Sequence, residues 1–186
     1  MKTISIFLAA IFLLLVASRV PATTFYVNVS NTVPLAPYTN WPTAATNIQD
    51  AIDASTDGDL ILVTNGLYAT GGRVVYGSLT NRVVINKAVT VKSVNGPDVT
   101  IIQGNKPIGN NAVRCAYLTN NAILIGFALT NGATRNTGGF NEQGGAGVWC
   151  ESTNSYVMNC RLVTNNAATV GGSAAACATR SLAIVT

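Results

Sequence analysis

The chain contains no histidine, and only 10% of its 186 residues are charged. The first absence removes every mechanism that turns on an imidazole, a Ser-His-Asp triad included, and leaves zinc without its commonest nitrogen ligand. Acids are scarce too. Beyond residue 60 only Asp98, Glu142 and Glu151 remain, far apart in sequence. A glycoside hydrolase needs two carboxyls flanking one bond at roughly 5 to 10 Å. Glu142 and Glu151 are the pair that a turn could bring together, but they read better as exposed turn residues. No phosphate cradle stands out, because Gly138-Gly139 and Gly144-Gly145 have the look of turn glycines. No catalytic residue, metal site or cofactor is therefore expected, and nothing points to nucleic acid.

Long apolar runs are also missing. Lys2 precedes an apolar stretch from Ile4 to Ala17, followed by the small-residue site Val20-Pro21-Ala22. This is the pattern of an export signal cleaved after Ala22. A membrane anchor would need about 20 apolar residues, so residues 1–22 are read as a signal peptide and no stable membrane insertion is expected after cleavage. The protein is expected to be secreted or to lie at the cell surface.

The charges that remain are unevenly placed. Residues 23–60 carry Asp50, Asp53, Asp57 and Asp59 and no cation, whereas nine cations from Arg73 to Arg180 face the three later acids. The four early acids read as a solvated helix face and turn. A basic body in an exported chain suits acidic partners outside the cytoplasm, although solubility accounts for charge of this size equally well.

What the chain has in quantity is glycine, asparagine, threonine and short aliphatic runs. Residues 23–58 read as a strand at Thr24–Val29, a proline-containing loop and a helix near 47–56, where Thr46 and Gln49 have capping-box spacing and Gly58 supplies the stop. From 59 to 186 the sequence repeats. An aliphatic residue followed by Thr-Asn recurs at 63–65, 79–81, 118–120, 129–131 and 163–165, as turns at strand ends would. Gly144-Gly145 stands before Cys150 as Gly171-Gly172 stands before Cys177, a period of 27. Val113-Arg114-Cys115 matches Val148-Trp149-Cys150 at 35, and residues 119–134 match 153–168 at 34. Strands this short bury an apolar face only by stacking coil on coil, so the pattern predicts an all-β parallel solenoid of roughly four coils.

Several segments resemble the right-handed parallel β-helix, or pectin-lyase-like, proteins exported by bacteria. Asn47–Ala54 with Gly58–Val63 and Gly66-Leu67-Tyr68 is similar to the opening of that family, where a helix caps the first coil. Val84–Ser93, Val99–Gly104, Gly126–Gly132 and Asn159–Leu162 are similar to its successive coils. The resemblance implies the fold, a right-handed parallel β-helix with an N-terminal capping helix. It does not fix an activity, since lyases, hydrolases, tailspikes, adhesins and stalks share the fold. A lyase of this kind would need a base and commonly calcium held by several acids, and no such acidic cluster is present. The chain stops at Thr186 inside what reads as a further coil, which predicts a truncated solenoid with an open edge for self-association.

Strand alternation points Cys115, Cys150 and Cys177 inward as a ladder, with Cys160 on another strand of its coil; disulfides between adjacent coils are the alternative. The same alternation points Arg114 and Trp149 outward on one face, with Tyr117, Tyr156 and Arg161 as further candidate contacts. An aromatic beside a cation suits stacking on a sugar and pairing with its carboxylate. The leading expectation is a non-catalytic module binding extracellular polysaccharide, acidic polymers included, or a piece of a larger carbohydrate-active protein. An adhesin or stalk is the alternative, and a polysaccharide lyase the next.

Overall fold

In the computed structural model, which describes residues 21–119, 121–169 and 175–176, the chain winds as a parallel β-solenoid of about four turns. The expectations for the leader, for Cys177 and for the end of the chain lie outside the described residues.

From β2 onward each turn contributes to each of three sheets, and β1 adds one further strand to the first. The first sheet stacks β1 (Thr24–Val27), β2 (Leu60–Val63), β6 (Thr90–Ser93), β9 (Ile123–Ile125) and β12 (Tyr156–Met158). The second stacks β3 (Gly66–Tyr68), β7 (Thr100–Gln103), β10 (Ala128–Thr130) and β13 (Arg161–Val163). The third stacks β4 (Arg73–Val74), β5 (Thr80–Ile85), β8 (Val113–Leu118), β11 (Val148–Cys150) and β14 (Ala175–Ala176).

The inward residues explain why three- to six-residue strands hold together. Phe25, Ile61, Val91, Leu124 and Val157 pair in register down the first sheet, and all are buried. Tyr68, Ile102, Leu129 and Leu162 do the same in the second. In the third, Val83, Ala116 and Val148 form one row, and Ile85, Leu118 and Cys150 the next. One core runs through all three sheets. No coil can bury these side chains without its neighbours, so the fold is secured by stacking.

Among the described strands, parallel pairing after residue 59 has one exception. β4 runs antiparallel to β5, because the chain doubles back between β3 and β5. That hairpin arm covers part of the β5 backbone, which no earlier coil pairs.

The helix α1 (Ile48–Ala54) packs Ile48, Ala51 and Ile52 into the core. Its N-cap is Asn47, whose side chain accepts the Asp50 N–H, and not the expected Thr46–Gln49 box. Gln49 is drawn elsewhere: its buried amide bonds both the N–H and the carbonyl of Val84 in β5, at 2.8 and 3.2 Å. It completes backbone that β4 does not reach. The far end of α1 is closed by Lys87, whose ammonium donates to the carbonyls of Ile52, Asp53 and Ser55. A cation on the final carbonyls both satisfies them and opposes the helix dipole. Lys87→Met is therefore expected to cost about 1–2 kcal/mol in a denaturant titration; a loss below a few tenths would show that water serves those carbonyls as well.

Of the repeat offsets read from sequence, 27 holds, since Val148 pairs with Ala175 and Trp149 with Ala176, and the other two need correction. β9 pairs β12 and β10 pairs β13 at 33 residues, and β8 pairs β11 at 32, where 34 and 35 were expected. Cys150 consequently lies on Leu118 and not on Cys115. The inward aliphatic rows set the register, and the Val-x-Cys likeness does not coincide with them.

Candidate functional site

The outer face of the third sheet gathers most of the chain's chemistry. Val84, Tyr117 and Trp149 stand in one outward row across β5, β8 and β11. Two segments fold over this row: residues 75–79 before β5, and the connection 131–147, which carries the short helix α2 (Phe140–Gln143).

Arg114 lies beneath that cover. The expected outward, solvent-facing cation is instead 2% exposed. Its Nε donates to Gly145 O at 2.9 Å, Nη1 to Asn81 Oδ1 at 2.9 Å, and Nη2 to Gly144 O at 2.8 Å and to Asn141 O. The Trp149 ring lies 5.4 Å from its Cζ. The planar fork is occupied by acceptors whose positions the loop backbone fixes, and burial lowers its pKa to about 10, so it stays charged at neutral pH. Arg114 therefore organises the loop and is not available to pair with a sugar carboxylate.

Above it sits an aromatic cluster. Phe140 meets Trp149 edge to face at 5.6 Å, and Tyr76 meets Tyr117 edge to face at 6.1 Å. Phe140 is 60% exposed and Tyr76 40%; Trp149 is half-buried, and Tyr117 forms the floor. The Glu151 carboxylate takes the Trp149 Nε1–H at 2.8 Å and the Tyr76 hydroxyl at 3.2 Å. Burial, with the neighbouring Tyr76 hydroxyl and Glu151 carboxylate, pushes the Tyr117 phenol well above its ordinary value. It remains a neutral hydroxyl and is no general base.

Glu142 also departs from expectation, being buried where an exposed turn residue was expected. Its carboxylate accepts the Ser78 N–H at 3.0 Å and the Gly139 N–H at 3.3 Å, with Arg135 Nε at 3.6 Å. The bond from Ser78 leads in holding its pKa below the ordinary value, with further help from Gly139 and the Arg135 charge. A Cβ on Gly77 or Gly138 would reach within 2.1 Å of that carboxylate. Glu142 is a structural clip between the two covering segments. That leaves Glu151 as the exposed carboxylate of the face.

The five candidate contacts are divided by the fold. Arg114, Tyr117 and Trp149 share the third sheet, Tyr156 belongs to the first, and Arg161 to the second, where it pairs with Asp98 at 2.9 Å. Sequence reading missed Tyr76 and Phe140, which come from connecting segments. Their signal was available as exposed aromatics in loops, but nothing in the strand repeat placed them.

Cys115 and Cys150 do not stack as the expected ladder requires, because Cys150 lies on Leu118; the step to Cys177 lies outside the described residues. Cys115 and Cys160 are free and buried, and Cys150 is disulfide-bonded. The Cys115 thiol donates to Thr130 O at 3.2 Å, and burial pushes it up to about 12. It is inert.

Elsewhere, Gln103, Gly104, Asn105, Lys106 and Asn131 line a shallow polar cleft at the corner between the second and third sheets. It contains no aromatic platform. Among the described residues no group of three His, Cys, Asp or Glu side chains is placed to hold a metal, and no helix is long and apolar enough to cross a membrane.

No protein-family model matches the chain, and neither a curated protein nor a solved structure matches it. The class defined by the structure is the all-β parallel solenoid.

Proposed function

We propose that this chain is an exported β-solenoid module that binds an extracellular polysaccharide on the outer face of the third sheet. The observation that carries this reading is the cluster of Trp149, Phe140 and Tyr76 around the exposed Glu151 carboxylate. Aromatic faces stack on the apolar side of a sugar ring, and a fixed carboxylate accepts its hydroxyl protons. Export draws support from the leader pattern and from the disulfide at Cys150, since disulfides persist outside the reducing cytoplasm.

The charge at the face alters the expected ligand. The cation that favoured acidic polymers is buried and committed to four acceptors, which leaves Glu151 to set the local sign. A neutral glycan suits this face better than a polyuronate, whose carboxylates Glu151 would repel.

Titration of the exported protein with a neutral β-glucan and with a polyuronate, each at low and high salt, tests this. Binding to the glucan is expected, with little dependence on salt because no ion pair forms. Phe140→Ala and Tyr76→Ala should each weaken it about 5- to 10-fold, the equivalent of about 1 kcal/mol. Tight, salt-sensitive binding of polyuronate would reverse the choice of ligand. Binding of neither polymer, or indifference to both substitutions, would leave the surface stalk as the better reading.

A further inference from the structure

Thr23 lies at the junction between the leader pattern and the first strand, and its surroundings are specific. Its carbonyl accepts the Leu60 N–H at 2.9 Å, which seats it on β2. Its N–H donates to Asp59 Oδ1 at 2.7 Å. Asp59 is 5% exposed, and its other oxygen accepts the Thr56 N–H at 2.7 Å and the Thr56 hydroxyl at 3.0 Å. Pro21 and Ala22, immediately before, are exposed. A buried carboxylate thus points one oxygen at the nitrogen that cleavage after Ala22 would turn into an amine.

We infer that hydrolysis of the Ala22–Thr23 bond creates a binding partner for Asp59, so that the α-ammonium of Thr23 locks the first coil onto the second. An export peptidase and water break the Ala22 C–N bond. The hydroxyl goes to the Ala22 carboxyl and the protons to nitrogen, which becomes a positively charged group carrying three donors. The contact at 2.7 Å, already assisted by the charge on the carboxylate, gains a charge on its donor as well and becomes an ion pair in a site sheltered from water. Uncut chain has the bond but lacks the donor's charge. Before cleavage, burial raises the Asp59 pKa, while the Thr56 and Thr23 N–H groups, the Thr56 hydroxyl and the Lys87 charge outweigh burial and hold it below the ordinary value. The carboxylate is therefore ionised and ready.

The test uses the full chain, exported by a bacterial host, beside a variant with one glycine inserted between Ala22 and Thr23. Cleavage after Ala22 then leaves the ammonium one residue early, at an exposed position. Mass spectrometry should find Thr23 at the N-terminus of the exported protein. It should melt about 2–6 °C above the insertion variant at neutral pH, and in an Asp59→Asn background the insertion should have no effect. The advantage should also depend on pH in one direction. An α-amino group ordinarily titrates near 8; pairing raises that value in the folded chain, so the added stability is complete below the ordinary value and fades as pH rises through the raised one. Lys87, and Asp57 in the same turn, are the other charged groups beside Asp59. Both are unchanged by the insertion, so the difference between the two proteins isolates the amine. A different N-terminal residue, or equal melting at every pH, overturns the inference. Glycan binding is measured apart and bears only on the proposed function.

Discussion

Arg114→Met is expected to lower stability by about 3–5 kcal/mol, more than any exposed substitution on the same face. Methionine keeps much of the aliphatic volume but donates nothing. The carbonyls of Asn141, Gly144 and Gly145 and the Asn81 side chain would each lose a charged donor in a place closed to water. An unsatisfied buried acceptor costs about 1–3 kcal/mol, and the loop can recover part of that by opening to solvent. Arg114→Lys should fall between the two, because one ammonium cannot span acceptors arranged around a planar fork. Equilibrium denaturation measures the loss, and the fluorescence of Trp149, which stacks on the guanidinium, reports whether the loop has opened. A loss under 1 kcal/mol would mean that the covering loop does not depend on Arg114.

The second large effect is expected at a corner. Gly104 and Gly132 follow β7 and β10, where the chain leaving the second sheet passes close to the chain entering the third and the two glycines lie against each other. A Cβ on Gly132 would lie 2.0 Å from Ala146 O, and one on Gly104 would lie 2.2 Å from Val113 O and 2.6 Å from the Gly132 Cα. These neighbours are main chain, with no flexible end to swing aside. Gly132→Ala should cost about 3 kcal/mol by forcing apart the two ends of the connection 131–147. Gly96→Ala, where a Cβ would meet nothing within 4 Å and the positive φ of 85° is the sole obstacle, should cost about 1 kcal/mol. Comparable losses at both positions would show that the corner yields more easily than its contacts suggest.

The contrast between Ile61 and Arg114 shows which parts of the fold were legible in sequence. A short aliphatic run is a local property, and it marked the segments of Ile61 and Val91 as coil strands without knowledge of the neighbouring coil. The offset between coils is not local. Connections of unequal length separate β8 from β11, and a chance Val-x-Cys likeness outscored the true pairing of Val148 with Ala116. Exposure on the outer face failed for a related reason. Alternation says that Arg114 leaves the core, but whether it then meets water depends on residues 131–147, which belong to the next coil. Glu142 was misread likewise, since its partners at Ser78 and Gly139 come together only after stacking. The aromatic site was half legible: Trp149 sits on a strand that the repeat predicts, whereas Phe140 and Tyr76 sit on segments about which the repeat is silent.

Three contacts described above reach past the adjacent coil. Ser78 to Glu142 and Tyr76 to Glu151 join the coil of β5 to that of β11 across the coil of β8, and Asp98 to Arg161 joins the coil of β7 to that of β13 across that of β10. An array held by adjacent contacts alone behaves as a one-dimensional lattice, able to fray from its ends one unit at a time. Links between second neighbours raise the cost of every boundary between folded and unfolded units, because a boundary then severs two layers of interaction in place of one. Melting should accordingly approach a single transition across the coils of β5, β8 and β11. The same links make the aromatic face a collective property: Tyr76 reaches Glu151 only when three coils are in place, so the chain cannot offer this surface until that block has assembled.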